Sequence, residues 1–135
     1  MKCLDTTYFI DLIRNPSLIK EITINLEDET LVTTVFNVYE SFFGAYAVKS
    51  AEARAKIIDK LTKAFSRVEI LDFTYKDSIR AAEIGGNLSK QGKYVGAEAI
   101  TAAIALNNGC NTIVTRNEEH FRWIGDLTGL KIMVY

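Results

Sequence analysis

The chain has 135 residues, 48% of them hydrophobic and 24% charged, with Lys+Arg 16 against Asp+Glu 17 and a formal net charge of −1. That size and balance suit a single globular domain with a real core and exclude a disordered or fibrous chain, as well as a protein that coats nucleic acid by bulk positive charge. Two cysteines in apolar surroundings, Cys3 and Cys110, exclude a disulfide framework, and no stretch reaches the ~18 apolar residues of a membrane span.

The opening "KCLD" is a short apolar run ending in an acid, and predicts a buried strand. The apolar residues there are interrupted by Asp5, Asp11 and Arg14, which does not fit a signal peptide, so the expected location is the cytoplasm. "TTYFIDLIR" sets Tyr8, Phe9, Leu12 and Ile13 on one helical face, and Asn15-Pro16 stops it. "PSLIKEITINL" is helical again, and "ETLVTT" is a second strand. In "TVFNVYESFFGAYAVK", Val35, Val38, Tyr39, Phe42 and Tyr46 recur at helical spacing behind a Thr33 or Thr34 cap. "AEARAKIIDKLTKAF" turns Ile57, Ile58, Leu61, Ala64 and Phe65 inward, leaving Lys56, Lys60 and Lys63 as a solvated face.

"RVEILDF" predicts a third strand. "YKDSIRAAEIGGNLSKQG" is a helix with Ala81, Ile84 and Leu88 in register, weakened by Gly85-Gly86. "AEAITAAIALNNG" is a small-residue helix with Ile100, Ala103 and Ile104 facing in, closed by Asn108-Gly109. "NTIVTRN" and "LKIMVY" are the fourth and fifth strands, and His120, the only His, reads as an exposed loop or packing residue. Strands separated by helices imply a three-layer α/β/α sandwich around a mostly parallel sheet of about five strands, as one domain over 1–135.

Ligands of such a sheet bind beyond the carboxyl ends of its strands. Asp5 ends strand one; Thr115, Arg116 and Asn117 follow strand four; Glu40 sits about two turns into the helix after strand two; Glu98 opens the small-residue helix. Three carboxylates converging on one point repel unless a cation lies between them, and an all-oxygen set suits Mg²⁺ or Mn²⁺. A single His and no cysteine pair argue against zinc. Each acid also has an ordinary reading: Asp5 as a helix cap, Glu40 as a solvated helix acid, Glu98 as a first-turn complement to the helix dipole.

In order along the chain, "CLDTTYFIDL", "LVTTVFNVYESFFGA" and "KYVGAEAITAAIALNNGCNTIVTRNEEHF" together resemble the motifs of the PIN domain family, in particular the VapC-type toxin ribonucleases. The resemblance implies that Asp5, Glu40 and Glu98 hold Mg²⁺ or Mn²⁺, where the family usually has Asp at the position of Glu98. It places neutral Asn117 at the fourth acidic position, with Glu118 or Glu119 as substitutes for the missing charge. It further implies metal-assisted hydrolysis of RNA, with Thr6, Thr115 and Arg116 toward substrate. The implied partners are RNA, an antitoxin whose tail enters the acidic crevice, and a second copy of the chain, with the helices at 8–28 and 51–65 as surfaces. A PIN-like module that binds RNA or protein without turnover is the alternative. A phosphoacceptor receiver domain fits worse: it needs paired acids after strand one, where Asp5 stands alone, and Lys131 lies at the wrong end of its strand.

Overall fold

A computed structural model describes residues 1–26 and 28–135. The elements run β1 (Lys2–Leu4), α1 (Thr6–Arg14), α2 (Pro16–Ile24), β2 (Leu31–Thr34), α3 (Val35–Tyr46), α4 (Ala51–Phe65), β3 (Glu69–Leu71), α5 (Tyr75–Ser89), α6 (Ala97–Asn107), β4 (Thr112–Thr115), α7 (Glu118–Thr128) and β5 (Lys131–Val134). The strands form one sheet in the order β3-β2-β1-β4-β5, every pair parallel. This is the expected three-layer α/β/α sandwich. A receiver would carry the order 2-1-3-4-5, so the observed order rules that alternative out.

Alternation along the strands explains the two cores. Cys3, Val32 and Ile113 turn to one face, where α5, α6 and α7 supply Leu88, Ala102, Ile104, Phe121 and Ile124. Leu4 and Val114 turn to the other, against Phe9 of α1, Ile19 of α2 and Leu61 and Phe65 of α4. Both cysteines are free and buried. Helix α6 buries nearly every side, since its small residues let the neighbouring helices and the sheet approach closely. The lysines of α4 do form a solvated face, two of them in exposed i,i+4 pairs with Glu52 and Asp59. Among the described residues no helix is long and apolar enough to cross a membrane.

Two features go beyond the sequence reading. Tyr39 and Tyr46 are 60% and 65% exposed, because α3 is apolar on two faces and buries the one bearing Asn37, Ser41 and Ala45, chiefly toward α1 and α4. The residues between β4 and β5 are a helix, α7, that buries Phe121 and Ile124 and ends on Gly129 in the left-handed conformation (φ 82).

Gly125 lets α7 lie close to β5. A Cβ there would meet the Leu130 carbonyl oxygen at 2.8 Å and Ile132 Cγ1 at 3.1 Å, whereas one at Gly86 on α5 meets nothing within 4 Å. Gly125→Ala is therefore expected to destabilise the chain by ~1–3 kcal/mol, the scale of an overpacked core. Gly86→Ala is expected to stabilise it by ~0.5–1 kcal/mol, the ordinary helix-propensity gain. Paired urea melts of the two variants check this.

Candidate active site

The chain leaves β1 for β2 on one side and crosses to β4 on the other, so the carboxyl ends of β1 and β4 flank a topological switch point. A cavity of about 180 Å³ opens there, lined by Asp5, Thr6, Thr7, Glu40, Ala97, Glu98, Thr101 and Asn117. Each of the three acids reaches it from a different element. Asp5 joins β1 to α1, Glu40 lies on α3, and Glu98 is in the first turn of α6.

Asp5 stands at the N-cap position of α1, yet its side chain closes no capping hydrogen bond. It is 7% exposed and its carboxylate is held instead from the sides. Thr115 Oγ1 donates to Oδ2 at 2.8 Å, Thr7 Oγ1 donates to the same oxygen at 3.3 Å, and Asn37 Nδ2 donates to Oδ1 at 3.3 Å. Burial pushes the Asp5 carboxyl above the ordinary range; the Thr115 hydroxyl, the nearby Thr6 and Thr7 amides and the Thr7 hydroxyl only partly offset it.

Glu40 Oε1 accepts from Thr6 Oγ1 at 2.7 Å. Its carboxyl is also raised, first by burial, against the Thr6 bond, and then by the negative charges of Asp5 and Glu98. Mutual repulsion among the three acids is thus felt at Glu40. Glu98 is the contrast. Its Oε2 accepts from the Gly96 amide at 3.0 Å, while Oε1 faces Asn117 Nδ2 and His120 Nδ1, each at 3.1 Å. Burial pushes it up, but the His120 hydrogen bond, its own and the Gly96 amide, and the His120 charge together hold it below the usual range. Glu98 therefore completes the start of α6, as the ordinary reading had it, and faces the cavity as well.

The remaining sequence candidates divide. Asn117 lines the cavity, and its side chain, at the N-cap position of α7, goes to Glu98 rather than capping its own helix. Glu118 pairs with Arg122 on the exposed side of α7 at 2.8 Å, and neither it nor Glu119 is among the lining residues. Thr115 is fully buried, so its hydroxyl orients Asp5 rather than a substrate. Thr6 likewise serves Glu40. Arg116 is half exposed beside the crevice, with Nε 2.9 Å from Asp11 Oδ2.

Sequence reasoning passed over Asn37 and His120. Asn37 is fully buried and joins three elements: Nδ2 donates to Asp5, to Thr6 Oγ1 at 2.9 Å and to Thr101 Oγ1 at 3.3 Å, and Oδ1 accepts from Thr34 Oγ1 at 2.7 Å. The carboxylate on one side and the Thr34 cap on the other fix which way the amide points. A signal for it existed: a lone amide three residues before Glu40 shares its helix face. His120, expected to be an exposed loop or packing residue, lies on α7. It stacks against Trp123 at 5.3 Å while bonding Glu98.

Among the described residues no three His, Cys, Asp or Glu side chains already close around one point tightly enough to grasp an ion. The donor chemistry nevertheless fits a hard divalent cation that keeps most of its own water, since Mg²⁺ binds through one or two carboxylates and dehydrates reluctantly. Asp5 and Glu40 are the acids whose burial the protein's hydrogen bonds offset only in part.

A PIN domain family model matches residues 2–126. The chain superposes on one from the VapBC complex of Salmonella typhimurium bound to DNA, with TM-score 0.83, 26% identity, and 98% of this chain and 96% of that one covered. It is similar also to VapBC2 of Rickettsia felis bound to a promoter DNA fragment, with TM-score 0.82, 22% identity, and 99% and 98% covered. VapBC-1 of nontypeable Haemophilus influenzae gives TM-score 0.80, 23% identity, and 98% and 96% covered. No curated protein matches the chain.

Proposed function

The chain belongs to the PIN domain family, and from that premise we propose that it is a divalent-metal-dependent endoribonuclease, the toxin of a toxin–antitoxin pair working in the cytoplasm. The observation that carries the reading is the shared cavity at the switch point, where Asp5 and Glu40 are both raised by burial and Glu40 further by its acidic neighbours. In this reading Asp5 and Glu40, with Glu98 beyond them, hold Mg²⁺ or Mn²⁺. Such an ion, when bound, polarises a phosphoryl oxygen and makes a bound water acidic enough to attack at neutral pH. The protein's own part is positional. Asn37, Thr7 and Thr115 fix the Asp5 carboxylate, Thr6 fixes Glu40, and Asn117 and His120 fix Glu98. Arg116, next to Asn117 in sequence, would contact a backbone phosphate of the bound strand.

The partners follow from surface chemistry. An apolar groove between α1, α3 and α4, lined by Ile10, Ile13, Ala45, Ile57 and Leu61, shares Glu40 with the acid cavity. A tail with apolar side chains followed by a cation would fill both, which suits the antitoxin of a VapBC-type pair. A homodimer would use the exposed aromatic face of α3, where Tyr39, Phe43 and Tyr46 carry no charge between them. The helices at 8–28 and 51–65, read from sequence as candidates for both surfaces, line the groove through Ile10, Ile13, Ile57 and Leu61, while the aromatic face of α3 lies outside them; Glu27, within the first span, falls outside the described residues.

Glu98 already takes three protein hydrogen bonds, and this favours one second reading, a PIN module that binds RNA or protein without cutting it. The two separate in a cleavage assay. With purified chain and mixed-sequence single-stranded RNA, the nuclease reading expects cleavage in Mn²⁺ that EDTA abolishes and added Mn²⁺ restores. RNA left intact at every metal concentration, while still bound, supports the module instead.

A further inference from the structure

Asp11 is a carboxylate 7% exposed on α1, outside the acid cavity and with no part in the chemistry above. Two groups converge on its Oδ2. The Arg116 Nε lies at 2.9 Å, and the Tyr135 hydroxyl, directly after β5, donates at 2.9 Å. The segment carrying Arg116 is fastened to the same helix, its amide donating to Thr7 Oγ1 at 3.0 Å, and it is turned locally by the Asn117 amide, which donates to Thr115 Oγ1 at 3.0 Å. Tyr135 is tied back in turn, its amide donating to the Thr115 carbonyl at 3.3 Å.

The guanidinium is thereby pinned beside Asp11, one helical turn (~5.4 Å) along α1 from Thr7, which lines the cavity. It is 52% exposed, and among the described residues it donates to no acceptor beyond its ion pair with Asp11. A bidentate structural ion pair would spend the planar fork on the carboxylate; here Nε is the guanidinium atom beside Asp11, and half of the side chain stays open to solvent. Burial raises the Tyr135 hydroxyl pKa well above its ordinary range, so it stays a donor throughout the physiological range.

We infer that Asp11 and Tyr135 are positioning residues that aim the Arg116 guanidinium at a phosphate of the bound strand next to the one in the acid cavity, an inference that rests on the nuclease reading above. Asp11 fixes the direction of the fork, and the Tyr135 hydroxyl shares the carboxylate so that Asp11 does not neutralise Arg116 completely. The acid cavity repels a polynucleotide, and a cation held at its edge offsets that repulsion one nucleotide away.

The test is a double-mutant cycle on binding, read by fluorescence anisotropy with a short fluorescein-labelled single-stranded RNA of mixed sequence. Every protein carries Glu40→Gln, so that the probe stays intact. Arg116→Ala is expected to weaken binding roughly fivefold, the worth of one such bond, and in the same titrations to lower the slope of log K against log salt by ~0.7, one phosphate contact on a single strand. Tyr135→Phe, which keeps the ring and removes the hydroxyl, weakens binding by roughly two- to threefold, and changes nothing further once Arg116 is alanine. Arg116→Lys restores the salt slope but not the full affinity, because an ammonium lacks the fork. Wild-type binding by Tyr135→Phe, with or without a lower Tm, overturns the inference, as does an equal loss from Tyr135→Phe in both backgrounds. If the cycle is additive while the wild-type chain, assayed separately, cleaves RNA in Mn²⁺, this inference fails and the nuclease reading stands. If the cycle couples while the chain cuts no RNA, the reverse holds.

Discussion

Asp5→Asn is expected to abolish Mn²⁺-dependent RNA cleavage and, in the metal-free protein, to raise the melting temperature at neutral pH. The loss of activity should exceed the roughly 10–100-fold that removing an outer-shell partner of a metal ligand costs, since here a ligand itself is neutralised. The gain in stability follows from the raised carboxyl of Asp5, whose largest cause is burial. A carboxylate whose folded pKa lies above its unfolded value costs stability when ionised. That penalty is absent below the unfolded value near 3.9, grows as pH rises, and is complete above the folded value. Asparagine carries no such penalty, so in EDTA the variant melts higher than wild type at neutral pH and the two curves converge in acid. The amide can be accommodated, because the Thr115 and Thr7 hydroxyls already face each other at 3.3 Å and can reverse their donor roles. Added Mn²⁺ should raise the wild-type Tm and leave the variant nearly unmoved. Calorimetry across pH with and without Mn²⁺ measures all of this, and a variant that melts lower than wild type in EDTA at neutral pH would show that Asp5 is a structural cap after all.

Asn37→Ala carries the second large effect, on fold and activity together. The substitution leaves the buried Thr101 hydroxyl and one oxygen of the buried Asp5 short of a partner, and the partly buried Thr6 hydroxyl with only its bond to Glu40. A buried polar group stripped of its partner costs ~1–3 kcal/mol, and three share the loss. Thr34 also loses the side chain that answers its cap, although it still accepts from the amide of residue 37. Cleavage should fall roughly 10–100-fold as Asp5 and Glu40 lose their common anchor, mainly through weaker metal affinity. Excess Mn²⁺ should then recover part of the activity of Asn37→Ala but none of that of Asp5→Asn. Asn37→Asp, equal in shape, sets a new carboxylate against Asp5 and is expected to be worse than alanine in EDTA. Denaturant melts and metal titrations of the activity separate these cases; an Asn37→Ala protein with wild-type metal dependence would remove the anchor from the account.

The strands and most helices were legible because β1, β2 and β4 are apolar runs too short for anything else, and because α1, α4 and α5 keep a 3.6-residue period. Helix α7 was missed although its marks were present: Asn117, Glu118 and Glu119 at the start, Phe121 and Ile124 three apart, Gly129 at the end. Reading Asn117 only as a substitute for an acid hid its place at a helix start, and with α7 went the reach of His120 to Glu98. The face of α3 could not be chosen from its period, since aromatic and aliphatic residues occupy both sides. That Asp5, Glu40 and Glu98 meet in one cavity follows from strand order, which places β1 beside β4 across a long crossover, and no local pattern encodes it. The resemblance to known motifs supplied that step. What it left out, Asn37 and the Asp11–Tyr135–Arg116 contact, lies in residues whose meaning depends on neighbours 32 and 124 positions away.

The central claim is that the pocket at the end of β1 exists to hold a doubly charged ion. Crystals of the protein soaked in Mn²⁺ and measured at an energy where manganese scatters anomalously decide it. The account predicts a single strong peak within the cavity, beside Asp5 and Glu40, that disappears in Asp5→Asn crystals treated alike. A map with no peak there at Mn²⁺ levels that saturate RNA cleavage, or with its peak elsewhere on the molecule, would contradict it.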